Sequence, residues 1–174
     1  MNLREDILRE HSRQQCDKIV AWVGKSKKRF AQLFYLFIND MEYRVVQRAA
    51  WPVSYCVETH PGLIQPHFGE LVAKLQQPGN HDAIKRNSAR LLQHVAIPEQ
   101  WQGEIMNICF DYIASPKEAV AIKAFSITVL GKMANNYPEI IPELKMIIED
   151  QYAHQTAAFT SRAKKLFKDL GIDQ

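Results

Sequence analysis

The chain has 174 residues, 47% of them hydrophobic and 24% charged, and a formal net charge of +3. That length holds one substantial core, and only seven glycines set the chain apart from low-complexity and disordered sequences. The small net charge does not by itself point to nucleic acid, so any electrostatic argument rests on how the charge is distributed.

Cys16, Cys56 and Cys109 are odd in number and widely spaced, which predicts reduced thiols in a cytosolic setting rather than a disulfide framework. The first eighteen residues carry eight charges and do not read as a secretory signal. The longest apolar run, Leu33 to Ile38, falls far short of the ~20 residues that span a bilayer. A soluble cytoplasmic protein without membrane contact is expected.

In chain order, residues 2–23 read as a first helix with Leu3, Ile7, Ile19, Val20 and Val23 on one side and Gly24 as its stop. Ser26 opens a second, over 26–39, whose Phe30, Leu33, Phe34 and Phe37 recur at helical spacing. Tyr35, Leu36 and Ile38 fill much of its other side, so this helix must be covered on more than one face. The first helix is the available cover, a cap over residues 1–25. Helices over 42–59, 62–77, 81–96, 99–113, 117–136, 139–151 and 156–170 follow, separated by turns rich in Pro, Gly or Asn. Pro52 lies inside the 42–59 helix and is expected to kink it rather than end it. No segment alternates with period two, so no sheet is predicted.

A pattern repeats within this series. Apolar or small residues at 122, 125, 126, 129, 130 and 133 have a weaker copy at Ile84, Ser88 and Leu91-Leu92. Further copies begin at Val46 and Phe159, so the copies start 38, 38 and 37 residues apart. A fixed period of this size denotes stacked helical units. The units run roughly 26–60, 61–97, 98–137 and 138–174 within a single domain.

Ile122-Lys123, then Ser126, Leu130-Gly131 and Ala134, resembles the second helix of a HEAT repeat, and Ile84-Lys85 with Ser88 and Leu92 matches in part. Pro138-Glu139-Ile140-Ile141-Pro142 and Pro61-Gly62-Leu63-Ile64 resemble the first helices of that family. Gln47 and Thr160 stand where the family has its basic residue. The resemblance covers about residues 26–170. It implies an all-α, right-handed superhelix of HEAT-like or armadillo-type repeats, about four of them behind the capping helix. It also implies a non-catalytic scaffold for protein binding.

Motifs that carry chemistry are missing. The six histidines and three cysteines form no His-x-x-x-His, Cys-x-x-Cys or His-Glu-x-x-His, and no Gly-rich phosphate loop occurs. No metal, cofactor, small-molecule substrate or catalytic group is predicted. Lys25, Lys27, Lys28 and Arg29 form the densest basic run and read as a solvated helix start.

Charge instead divides between the two kinds of helix. The four second-type helices (42–59, 81–96, 117–136, 156–170) carry twelve Lys or Arg against five Asp or Glu. The first-type helices 62–77, 99–113 and 139–151 carry two against eight. The resemblance puts second helices on the concave wall, which would then be basic. Opposite the core direction of 42–59 lie Arg44, Arg48, Trp51 and Tyr55, at i, i+4, i+7 and i+11. The matching residues are Arg86 and Gln93, flanked by Arg90, on 81–96, and Lys164 and Lys168 on the last helix. On 117–136 the stripe is apolar and small: Val120, Ala124, Ile127 and Gly131. A groove of Arg, Trp and Tyr, then an apolar strip, then Lys suits an acidic or amphipathic protein partner. Nucleic acid is the alternative partner, since HEAT-like DNA glycosylases of alkylation repair exist and Trp51 with Asp82 could stand beside an extruded base.

Overall fold

The computed structural model describes residues 2–172. Every regular element among them is helical. The chain divides into two compact units, Met1–Pro98 and Glu99–Gln174.

The first unit holds α1 (Leu3–Arg9), α2 (Arg13–Val23), α3 (Lys27–Asn39), α4 (Tyr43–Thr59), α5 (Phe68–Leu75) and α6 (Asp82–Leu92). Its centre is α3 against α4, with α6, α2 and α1 also packed on α4. Phe30, Leu33, Phe34 and Phe37 of α3 have no solvent exposure, so the cover that its apolar circumference demands is present. α2 packs on α3 as well as on α4, and Leu3 and Ile7 of α1 and Ile19 and Val23 of α2 are buried.

The single helix expected over residues 2–23 is two helices. Glu10 is extended, and Ser12 caps α2 by accepting the Gln15 amide at 3.1 Å. A serine cap satisfies a donor that the end of a helix otherwise leaves unpaired, which favours a fresh start at Arg13. Gln15 Nε2 donates to the Asp6 carbonyl at 2.7 Å and ties the two pieces together. Arg4 then fastens α1 to the α3–α4 turn through Asp40 and Glu42, each at 2.9 Å. Gly24 closes α2 at φ +50°, a conformation in which a side chain would be strained.

α4 runs unbroken through Pro52. The helix expected over 62–77 is shorter. Pro66 has no amide hydrogen to continue a ladder, and two 3-10 turns, Pro61–Leu63 and Gln65–His67, precede α5. Its neighbour, expected to reach residue 96, ends at Leu92, where Gln93 and His94 bond to carbonyls three residues back.

The second unit holds α7 (Glu99–Ala114), α8 (Val120–Ala134), α9 (Ile141–Gln151) and α10 (Ala157–Asp169). α8 is its centre, packed on α7 and α10, while α9 lies against α7. Lys123, in the place where HEAT second helices carry a basic residue, is 1% exposed. Its Nζ donates to Gln151 Oε1 at 2.7 Å, and Gln151 Nε2 donates to the carbonyls of Ile113 and Ile147. One glutamine thus joins α7, α8 and α9. Burial lowers the Lys123 ammonium from its ordinary range, because desolvation disfavours the charged form.

The phase of α8 has a measurable consequence. Leu130 is fully buried, and Leu130→Ala is expected to cost ~2–5 kcal/mol. Thr128 is half-buried; its hydroxyl donates to the Ala124 carbonyl and accepts from Arg162 Nη1 at 2.7 Å. Thr128→Ala removes both bonds from a half-buried site and is therefore expected to cost about 1–2 kcal/mol, below the loss at Leu130. Urea midpoints of the two variants should separate clearly, and equal shifts would overturn this placement of α8.

Candidate functional site

Titratable nucleophiles offer little chemistry. The thiols of Cys16, Cys56 and Cys109 are buried, and that burial pushes them up to about 11, 12 and 12. Thiols so shifted are almost wholly protonated near neutrality and inert as nucleophiles. Among the described residues no group of three His, Cys, Asp or Glu is placed to hold a metal ion, and no helix is long and apolar enough to cross a membrane.

In the first unit, the stripe Arg44, Arg48, Trp51 and Tyr55 lies on the least buried line of α4. Arg44 is exposed, and the other three are half-buried because α1 and α2 pack beside them. Arg48 Nη1 donates to the Leu8 carbonyl at 2.7 Å, near the end of α1. Trp51 meets the His11 ring edge-on, centroids 6.0 Å apart, and tilts against Tyr55 at 6.1 Å.

Tyr55 is the centre of this surface. The guanidinium carbons of Arg13 and Arg90 each stand 4.5 Å from its ring centroid, within cation–π range. Arg13 Nη1 also donates to the phenol oxygen at 3.0 Å. Arg90 foremost, with the charge of Arg13 adding to it, lowers the phenol from its ordinary range. Carboxylates balance the arginines in part, Asp17 beside Arg13 at 2.8 Å and Glu58 beside Arg90 at 3.5 Å. Arg86, one turn before Arg90 on α6, is exposed. Arginine stems held on an aromatic face are pre-ordered, so less rotamer freedom is lost when a partner binds them.

Two predicted contact residues do not belong to an open surface. Gln93 is buried, its Nε2 donating to the Arg90 carbonyl at 3.2 Å where α6 ends. Ile127 is fully buried, and Ala124 and Gly131 of the same strip are buried with it. The reason is α10. Gly131 carries no Cβ, and a Cβ at that position would collide with Leu166 Cδ1, so α10 packs directly over the strip. Asp82, the imagined partner of Trp51 at an extruded base, is exposed at the start of α6, 3.9 Å from Lys85 Nζ.

In the second unit, Lys164 and Lys168 are exposed on α10. The charged residues that line a cavity here are others. A cleft of about 560 Å³ between α8 and α10 is lined by Thr128, Lys132 and Asn135 on one side and by Arg162, Lys165 and Asp169 on the other. Ile127, Leu166 and Leu170 supply its apolar part. Sequence reasoning misses these residues because the stripe opposite the core of α10 does not include the flank that the cleft faces. The one available signal was Gly131, which marks where a neighbouring helix comes close. Arg13 and His11 were also missed; Arg13 reaches Tyr55 across 42 positions, beyond any local pattern.

A family model described as a HEAT repeat domain matches residues 3–170. No curated protein and no solved structure matches the chain.

Proposed function

We propose that this chain, which belongs to the HEAT repeat family, is a non-catalytic module that binds an acidic or amphipathic protein partner through the α4–α6 face of its first unit. Repeats of this family generally mediate protein–protein interaction, and that is the starting point. The observation that carries the reading is the clasp of Tyr55 between Arg13 and Arg90, with Trp51 beside it. Arg, Trp and Tyr are the residue types in which interface binding energy concentrates. Arg44 and Arg86 extend the same face with exposed positive charge, which favours a partner bearing carboxylates. The inert thiols accord with a binding rather than a catalytic role. We also place the protein in the cytoplasm, on the strength of its unpaired cysteines.

The reading is tested by affinity capture from the native cell with full-length bait, followed by titration of the captured partner. Trp51→Ala should weaken binding by about 2 kcal/mol, the scale of an interface anchor, and Lys168→Ala should leave it unchanged. Thermal melts of both variants show whether the fold is retained. Uniform losses from every Lys or Arg substitution, with affinity falling steeply as salt rises, would instead identify a phosphate-backbone ligand and overturn the proposal.

A further inference from the structure

We infer that an Asp or Glu side chain of the partner docks on Arg90 by displacing Glu58, which occupies that place in the free protein. The inference rests on the α4–α6 reading and adds to it the point of attachment and an internal competitor.

The two arginines at Tyr55 are equal in distance to the ring and unlike in how they are held. Each guanidinium carbon stands 4.5 Å from the ring centroid. Arg13 already has a carboxylate at short range, its Nε donating to both oxygens of Asp17 at 2.8 and 3.0 Å. The two residues are one turn apart on α2, so their pair forms within a single helix. Arg13 Nη1 is engaged as well, donating to the Tyr55 phenol oxygen at 3.0 Å.

Arg90 is held more loosely by its carboxylate. Its Nη2 meets Glu58 Oε2 at 3.5 Å, and the pair bridges the last turns of α6 and α4. A charge-assisted bond of this kind reaches its optimum at about 2.7–2.9 Å, and arginine pairs best with a carboxylate through two parallel bonds. An incoming carboxylate therefore gains both a shorter contact and a second prong. Glu58 is exposed, so on leaving Arg90 it turns into water without a desolvation cost. Arg90 is half-buried where Arg13 is exposed, so its charge is the less screened of the two. Trp51 beside Tyr55, and Arg86 one turn before Arg90, then flank the attachment point with an apolar surface and a further positive charge.

Full-length protein labelled with 15N is titrated with the probe acetyl-Glu-Glu-Leu-Phe-Glu-Glu-amide, whose carboxylates flank apolar side chains. Glu58→Gln removes the competitor, and Asp17→Asn makes the same change of charge beside the same ring. Glu58→Gln should tighten probe binding about two- to fivefold, the scale set by one exposed ion pair, and Asp17→Asn should leave it nearly unchanged. In an Arg90→Gln background Glu58→Gln should gain nothing, because the two residues act as a pair. Should Glu58→Gln alter the helical circular dichroism, Glu58→Ala carries the same comparison. Equal gains from Glu58→Gln and Asp17→Asn, or a gain that persists without Arg90, overturn the inference and leave the α4–α6 proposal standing. Equal binding of a control peptide with Gln in place of each Glu overturns the inference too. Saturable shifts found only away from Trp51, Tyr55 and Arg86, or none with wild type and Glu58→Gln alike, overturn it together with the α4–α6 proposal.

Discussion

Phe34→Ala is expected to cost ~3–5 kcal/mol, the range for truncating a buried phenylalanine. Phe34 has no exposed surface, and its ring lies 6.0 Å from Phe30, 6.1 Å from Phe37 and 4.8 Å from His67. These neighbours come from α3 itself and from the turn before α5, so they cannot all close on the void at once. A loss of that size consumes much of the about 5–15 kcal/mol by which a domain is stable. Tyr35, the next residue, is 61% exposed. Tyr35→Ala should stay within about 0.5 kcal/mol, as for most surface positions. Urea unfolding followed by circular dichroism makes the comparison, and similar losses at the two sites would contradict the orientation of α3.

Gln151→Ala should be nearly as damaging, at about 2–4 kcal/mol, through polar rather than apolar loss. It strips the buried Lys123 ammonium of its acceptor and the Ile113 carbonyl of a donor. Lys123→Met should behave in the opposite way. The substitution keeps the length of the side chain and removes the buried charge, while Gln151 Oε1 still accepts from Gln155 Nε2 at 3.2 Å. Stability near neutral pH is then unchanged or raised.

The pH dependence separates these variants further. Burial lowers the folded-state pKa of Lys123, so between that value and the unfolded one the unfolded chain binds more protons. Stability contributed by this group therefore rises with pH through that alkaline window. Wild type should gain on Lys123→Met as pH climbs from neutral into that window. A constant difference between the two melts would show that the Lys123 ammonium is not desolvated.

Most helices were legible because their punctuation is strong. Pro, Gly and Asn mark nearly every turn, and Ser26 opens α3 by accepting the Arg29 amide at 3.3 Å. The polar line of α4 was legible for a related reason: four large polar or aromatic residues recur there against a background of Val and Ala. α8 was harder. Its residues are apolar nearly all round, so no stripe distinguishes an open face, and a helix of that kind is covered on every side. The reasoning that demanded a cover for α3 applies equally to α8 and gives the burial of Ile127. The division of the first helix lay in Ser12, a cap residue in the middle of an otherwise amphipathic run. The contacts of Arg13, Arg48 and Arg162 span 34 to 42 positions and are set by tertiary packing alone.

The placement of the three cysteines gives the protein built-in clocks. Cys16 and Cys56 lie in the first unit and Cys109 in the second, each at most 4% exposed. A thiol reagent reaches them only when the surrounding helices open, so labelling rates in native buffer report opening free energies. Mass spectrometry of the labelled chain assigns each rate to its own unit without any engineered probe. A ligand confined to one unit should then slow the labelling of that unit's cysteines, in proportion to the stability it confers there.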